Sequence, residues 1–311
     1  MTAACGLGAV PAASAAADVQ QTSSGNWSGY AVGGSSSQTS FRRVSGSWIA
    51  PTASCSAGSG YSSFWVGLGG SGQSQALEQT GTEADCSSDG SPSYFAWYEL
   101  VPSAPVRVNM TVNPGDHISS QVTVSGTNVT VSLNDTTTGG SFEKTLTMSN
   151  PDVSSAEWIA EAPSSCSGSL SNCSPLSLAD FNKVTFTNAS ATTTAGQTGT
   201  IADFPAAELT LDPGADGSSQ FVSQQQNTAG AAPSNLSSDG SSFSVDWSNT
   251  AASASGAGRA GTATSDPYGD GYGGYGGDPY GDGYGYGGDP YGGYGAGGGG
   301  YAYIVPSGYG Y

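Results

Sequence analysis

Residues 106–133 read Val106-Arg107-Val108-Asn109-Met110-Thr111-Val112-Asn113-Pro114-Gly115-Asp116-His117-Ile118-Ser119-Ser120-Gln121-Val122-Thr123-Val124-Ser125-Gly126-Thr127-Asn128-Val129-Thr130-Val131-Ser132-Leu133. The apolar residues fall on every second position at 106, 108, 110 and 112, again at 122 and 124, and again at 129, 131 and 133. That is the period of a strand with one buried face. Asn113-Pro114-Gly115-Asp116 has turn chemistry: Pro fixes φ, Gly permits a positive one, and Asn and Asp bond back to the backbone.

The pattern extends in both directions. Gly25-Asn26-Trp27-Ser28-Gly29-Tyr30 opens a run of strand-like text, and Phe41 to Pro51 follows a Gly/Ser turn. Thr138-Gly139-Gly140 turns the chain towards Phe142 and Leu146. Later strands are read at 183–188, 207–212 and 242–247, the last with Phe243, Val245 and Trp247 on one face. Many short period-two segments, separated by turns and without a sustained helical period, predict an all-β sandwich or barrel.

Composition narrows the function. The chain has 311 residues, enough for one sizeable core, and a formal charge of −18 from 24 Asp plus Glu against 6 Lys plus Arg. Arg42, Arg43, Arg107, Lys144, Lys183 and Arg259 are scattered. Nucleic acid and anionic membrane surfaces are therefore excluded as partners, because both need clustered cations. A pI near 4.1 suits an acid medium, where protonation relieves the self-repulsion of the carboxylates.

Three segments are expected. Residues 1–22 are leader-like: Ala3 to Ala17 are small and apolar and end in Ala15-Ala16-Ala17, an A-x-A type cleavage site, although no basic region precedes them. Residues 23–250 hold the β domain. Residues 251–311 are a Gly/Tyr-rich tail with most of the 16 Tyr and Asp-Pro-Tyr-Gly at 266–269, 278–281 and 289–292. Such text buries too little apolar side chain to offset its ordering entropy, which predicts disorder. No stretch reaches the length of a membrane-spanning helix. Of the five cysteines, Cys166 and Cys173 enclose a short loop and read as one disulfide, Cys55 and Cys86 as a second, and Cys5 lies in the leader. Disulfides belong to an oxidising compartment, so the expected location is extracellular.

Elimination leaves carboxylates as the chemistry. His117 is the single histidine, too little for a His-based zinc site, and no G-x-S-x-G elbow accompanies it for a Ser-His-Asp triad. Two strands carry glutamates among aromatics. Alternation puts Phe95, Trp97 and Glu99 on one face of Tyr94-Phe95-Ala96-Trp97-Tyr98-Glu99-Leu100, and Glu157, Ile159 and Glu161 on one face of Ala156-Glu157-Trp158-Ile159-Ala160-Glu161. Gln75, Leu77 and Gln79 share a face in a third. The pattern alone fits solvent-facing strand residues, buried structural carboxylates, or a carboxylate-lined groove.

At these strands the sequence resembles the glutamic endopeptidase (eqolisin) family, and within it the bacterial branch. The matching pieces are Asn26-Trp27-Ser28-Gly29-Tyr30, Val44-Ser45-Gly46-Ser47-Trp48-Ile49-Ala50-Pro51, Phe64-Trp65-Val66-Gly67-Leu68-Gly69-Gly70, Leu77-Glu78-Gln79-Thr80-Gly81, Ala96-Trp97-Tyr98-Glu99 and 156–161. They stand in family order from residue 24 to about 249. The resemblance implies a sandwich of two antiparallel sheets, lectin-like in its jelly-roll architecture, with a cleft on one face. It implies a catalytic pair of Gln79, from Gln79-Thr80-Gly81, and Glu161, the second acid of its motif. It implies a cleft lined by Trp65, Gly69, Phe95, Trp97 and Glu99. The expected activity is a secreted, pepstatin-insensitive acid endopeptidase acting on proteins or peptides, with no metal or other cofactor.

Gly69 and Phe95 stand where fungal members carry Asp, a departure expected to make the working pH less acidic. A monomer is expected, with the tail free to contact the cell surface. Two other readings stay open at this stage. One is a lectin-like carbohydrate- or surface-binding module that uses Trp65 and Trp97 as stacking platforms. The other is a glycosidase using Glu99 and Glu161.

Overall fold

The computed structural model describes residues 19–33, 38–71, 76–166, 173–213 and 229–249; residues 1–18 of the expected leader, the whole tail at 251–311 and Gln75 lie outside them. The strands in chain order begin with β1 (Val19–Ser24), β2 (Trp27–Gly33), β3 (Phe41–Ile49), β4 (Ser63–Gly69), β5 (Leu77–Cys86) and β6 (Pro92–Val101). There follow β7 (Val106–Arg107), β8 (His117–Ser125), β9 (Asn128–Asp135), β10 (Ser141–Thr147), β11 (Ser155–Glu161) and the short pair β12 (Ser164–Cys166) and β13 (Cys173–Pro175). The last are β14 (Lys183–Thr193), β15 (Thr198–Gly199), β16 (Ala206–Leu211), β17 (Ala229–Pro233) and β18 (Phe243–Asn249). Helix among the described residues is confined to 3-10 turns at Cys55–Ala57 and Ile201–Asp203.

Hydrogen bonds run along one continuous path, β10-β9-β8-β3-β14-β18-β17-β16-β2-β11-β4-β5-β6-β7. The path folds over on itself, so that β3 and β8 lie against β4, β8 and β9 against β5, and β14 against β11. The result is a two-layer sandwich whose layers are joined through β18, β17 and β16. Neighbours on the path are antiparallel, and β1 adds to β16 in parallel.

The core between the layers follows from alternation. Phe64, Val66 and Leu68 of β4 and Ala156, Trp158 and Ala160 of β11 face inward. From the other layer come Val44 and Trp48, Val122, Val129, Val131 and Leu133, and Val184 and Phe186. Each buried Val, Leu or Phe contributes roughly 1.5–3 kcal/mol. Two polar contacts fix how the layers sit: the Trp158 indole donates to the Ser45 carbonyl at 2.8 Å, and the Trp48 indole to Thr82 Oγ1 at 3.0 Å. The Cys55–Cys86 disulfide forms as the sequence predicts. Cys166 stands opposite Cys173 in the β12–β13 register, but the side chains of this pair lie outside the described residues.

The stretch at 106–112 behaves differently from a regular strand. Only Val106 and Arg107 pair, against Tyr98 and Trp97, while Val108, Met110 and Val112 are buried without continuing the ladder. An extended segment laid over the core's edge buries alternate side chains without needing a partner strand, and the sequence pattern is the same for both.

Candidate active site

β4, β5 and β11 are buried at every position, so both faces of this part of the sheet are covered. The inner faces make the core described above. The outer faces gather Trp27, Trp65, Leu77, Trp97, Ile159 and Leu209 into a second apolar cluster. The polar residues predicted for the site lie among these side chains.

Register places them. Glu161 pairs with Ser63 of β4, Ile159 with Trp65, and Glu157 with Gly67. On the other side of β4, Ser63 pairs with Glu83, Trp65 with Gly81 and Gly67 with Gln79; across β5, Gln79 pairs with Glu99 and Gly81 with Trp97. Because side chains alternate, Gln79, Glu99, Glu161, Trp65 and Trp97 all fall on this one face. Gln79 and Glu161 sit on strands separated by β4, at rows on either side of Trp65.

Glu161 is held by N–H donors. Asn26 Nδ2 donates to Oε1 and Trp65 Nε1 to Oε2, both at 2.8 Å. Burial pushes its carboxyl up to about 8, against the pull of the N–H groups of Trp65, Trp27 and Asn26. Trp27 packs edge-on against Trp65 with ring centres 5.0 Å apart, which closes the apolar wall beside the carboxyl. Gln79 is held by Glu99: its Nε2 donates to Glu99 Oε2 at 2.7 Å. Burial holds Glu99 well above the usual carboxylate range; the Gln79 donor opposes this and the charge of Glu161 adds to it. Gln79 Oε1 and the Trp97 indole N–H are buried without a hydrogen-bond partner.

Glycine explains how the tryptophan fits. A Cβ on Gly81 would lie 2.2 Å from the Phe64 carbonyl oxygen and 2.6 Å from Trp65 Cβ, and one on Gly67 would lie 3.0 Å from Trp65 Cζ3. Trp65 therefore needs glycine on both sides, and its indole spans from the Glu161 row to the Gln79 row.

Further carboxyls flank the pair. Glu83 accepts from Ser63 Oγ at 2.8 Å, and burial together with the nearby Asp85 raises it well above its ordinary value. Asp85, raised to about 7 mainly by burial, is pulled down by Glu83, by the Ser62 backbone N–H and by Arg107. Arg107 lies over the Phe95 ring at 4.5 Å, so Phe95 stands at the partly exposed margin of this face. At the opposite end Gly69 has φ +83°, and a Cβ there would lie 2.5 Å from Asp152 Cβ. The space of a side chain at 69 is thus taken by an acid from another part of the chain. Asp152 accepts from Ser154 N–H at 2.8 Å, and its own N–H donates to Glu78 at 3.1 Å. Glu78 is raised to about 8, and Glu157 well above its ordinary value, chiefly by burial.

Each described residue predicted for the site therefore lies on or beside one sheet face. Trp65, Trp97 and Glu99, expected to line an open cleft, are buried, as are Gln79 and Glu161. Sequence reading missed Asn26, Glu83 and Asp152 as neighbours of the site. Asn26 had a signal, as the first residue of a family-like motif; Asp152 had none, because it arrives from a loop. Among the described residues no group of three His, Cys, Asp or Glu side chains is placed to hold a metal ion.

A β-sandwich that buries a Gln and a Glu around a tryptophan on one sheet face defines a class, and comparison with known proteins gives it a family. Residues 25–211 match the model of the peptidase A4 family, and the chain belongs to that family, the eqolisins. It is 33% identical over 195 residues to aspergillopepsin-2 of Aspergillus niger, covering 54% of this chain and 64% of that protein, just under two thirds of its length. Its fold is similar to that of scytalido-glutamic peptidase solved with a transition state analog inhibitor. The TM-score is 0.56 at 27% identity, over 72% of this chain and 98% of that one. It is also similar to SCP-B, an eqolisin solved with the tripeptide Ala-Ile-His, with TM-score 0.52 and 26% identity over 72% and 98%.

Proposed function

We propose that this chain is a secreted acid endopeptidase that hydrolyses peptide bonds with Glu161 as general base and acid and Gln79 as oxyanion stabiliser. The observation that carries this is the arrangement around Trp65. Glu161 is held by N–H donors, Asn26 and Trp65 among them, and Gln79 is fixed by Glu99 through one of the two N–H groups of its amide.

In the reaction, ionised Glu161 takes a proton from a water as its oxygen adds to the scissile carbonyl carbon. The negative charge that develops on the carbonyl oxygen is met by the other N–H of Gln79, already oriented and shielded from water. The tetrahedral intermediate then collapses, the C–N bond breaks, and protonated Glu161 gives its proton to the leaving amine. No metal enters these steps. A buried face with an unpartnered acceptor, Gln79 Oε1, and an unpartnered donor, Trp97 Nε1, offers an extended peptide one partner for an N–H and one for a C=O.

Base action needs Glu161 ionised, and its carboxyl titrates at about 8 in this buried setting. The ionised fraction therefore rises from acid towards neutral pH, and burial holds Glu99, Glu83 and Glu157 well above the usual carboxylate range as well. This favours a working range on the mild side of acid, less acidic than in the fungal relatives. Gly69 and Phe95, with the Glu78-Gln79 and Trp97-Tyr98-Glu99-Leu100 contexts, support placing the chain in the bacterial branch.

The test is cleavage of an acid-denatured protein from strongly acid to neutral pH, with pepstatin present, by the secreted chain and by Glu161→Gln. Pepstatin-resistant cleavage that disappears in the variant is expected. Undiminished cleavage by the variant refutes the assignment of Glu161. No cleavage by the folded parent chain brings forward the surface-binding alternative.

The same proposal covers the chain's organisation: a leader at 1–22, a peptidase domain at 23–250 and a Gly/Tyr-rich tail at 251–311. It includes a second disulfide, Cys166–Cys173, and a monomer whose tail is available to the cell surface. Intact-mass measurement of the secreted protein with and without reduction reads both the start of the mature chain and the number of disulfides.

A further inference from the structure

We propose that Asn26 is a positioning residue for the reaction: its side-chain amide locks Glu161 Oε1 while Trp65 locks Oε2, so that the carboxyl faces the reacting water in one orientation only. The inference rests on Glu161 being the base.

The geometry is specific. Asn26 is 1% exposed and lies in the bend between β1 and β2, outside any strand ladder. Its Nδ2 reaches Glu161 Oε1 at 2.8 Å, and its own backbone carbonyl accepts from the N–H of Ala162 at 2.8 Å. One residue thus grips the glutamate by its side chain and the next residue by its backbone. The bend itself is fixed by Ser24 Oγ, which accepts from the Asn26 N–H at 3.4 Å and the Trp27 N–H at 3.1 Å. A carboxylate without such donors could rotate about its terminal torsion, where the energy wells are broad. With one oxygen held from β2's leading bend and the other from β4, rotation would break both bonds.

A donor that cannot lose its proton also favours the charged form of its partner. The groups acting on Glu161 are Asn26 and Trp27 at the start of β2 and Trp65 on β4, while its own charge raises Glu83 on β5 and Glu99 on β6. Beyond them, Arg107 beside β6 acts on Asp85, which in turn acts on Glu83. Burial opposes ionisation of Glu161, and the N–H donors support it. Asn26 is the amide among those donors, and the one whose removal leaves the tryptophan wall intact.

The experiment compares the parent chain with Asn26→Ala, Asn26→Asp and Glu161→Gln. It reads the pH profile of kcat/KM, the separate kcat and KM, thermal unfolding, and a carbon-13 titration of the carboxyls in which the Glu161 signal is the one lost in E161Q. In N26A the acid limb and the Glu161 titration move up together by about one unit, as loss of one hydrogen bond to a charge implies. Activity below that limb then falls about tenfold through kcat, with KM nearly constant. N26D keeps the shape but sets a carboxyl against Glu161, so its limb moves up further. A folded N26A in which neither limb nor titration moves overturns the proposal, even if activity falls equally at all pH values. If N26A does not fold, N26L, which fills a similar volume without a donor or a charge, decides by the same criterion. Should E161Q stay active while N26A still moves the titration, Asn26 positions Glu161 but the assignment of Glu161 as base falls.

Discussion

Gln79 Nε2 donates to Glu99 Oε2 at 2.7 Å, across the one register position where β5 and β6 bring these residues directly opposite each other. The amide proposed to meet the oxyanion is thus oriented by a carboxyl on the next strand. Glu99 accordingly acts through Gln79.

This relationship separates two substitutions. Gln79→Ala removes the oxyanion donor and is expected to lower kcat by roughly 10²–10³. Glu99→Ala leaves the donor but frees its orientation, and the expected loss is smaller, about tenfold to a hundredfold, again in kcat. Glu99→Gln keeps an acceptor oxygen and should retain most activity. Steady-state kinetics on one peptide substrate checks the order; a Glu99→Gln as damaged as Glu99→Ala counts against orientation through a hydrogen bond.

Stability should fall as pH rises. Glu78 and Glu161 titrate at about 8, and Glu83, Glu99 and Glu157 are raised well above their ordinary value, all chiefly by burial. A folded-state pKa above the unfolded one means that the folded protein binds more protons. Stability is therefore fully present below about 4.5 and is lost progressively as pH climbs through 8. Asp135, whose carboxylate accepts from Thr137 and Thr138, is lowered, as are Asp89 and Asp239, and these three run the other way against six raised carboxyls, Asp85 included. Tm measured across this range should decline towards alkaline pH, and a Tm rising through neutrality contradicts the burial of these carboxyls.

Gly81→Ala should be among the most damaging small substitutions. Its Cβ would lie 2.2 Å from a backbone oxygen and 2.6 Å from Trp65 Cβ, and neither atom is the end of a flexible side chain. The expected cost is about 1–3 kcal/mol or more, read as a lower Tm, together with a displaced Trp65 and hence reduced activity. Gly115→Ala is the control. Gly115, unlike Gly81, has a positive φ, but a Cβ there meets nothing within 4 Å, so only backbone strain is added.

Reducing the Cys55–Cys86 disulfide releases a loop with a sequence separation of 31. Loop-entropy arguments give about 4 kcal/mol for such a closure. Cys55→Ser/Cys86→Ser should unfold at correspondingly lower denaturant, with the activity of the folded fraction nearly unchanged because the bond lies on the core side of β5.

The sequence by itself determined the strands and their faces, because period-two alternation is local: which of Leu77, Gln79 and Gly81 share a side is settled by the chain's own pleat. Elimination left carboxylates as the candidate chemistry, and the order of short motifs gave the family, whose resemblance points to Gln79 and Glu161 as the proposed pair. Tertiary structure decided what alternation cannot encode. Pairing register set Gln79 opposite Glu99 and put Trp65 between Gln79 and Glu161. The bend before β2 brought Asn26 to Glu161 across a sequence separation of 135. A loop carried Asp152 into the space that a side chain at 69 would need. The stretch at 106–112 shows the same limit in reverse, since its pattern is that of a strand although only two of its residues pair. Burial, and with it the upward titration of the carboxyls, came last of all. It depends on both faces of β4, β5 and β11 being covered, and a strand's sequence records which side chains share a face but not what comes to lie over it.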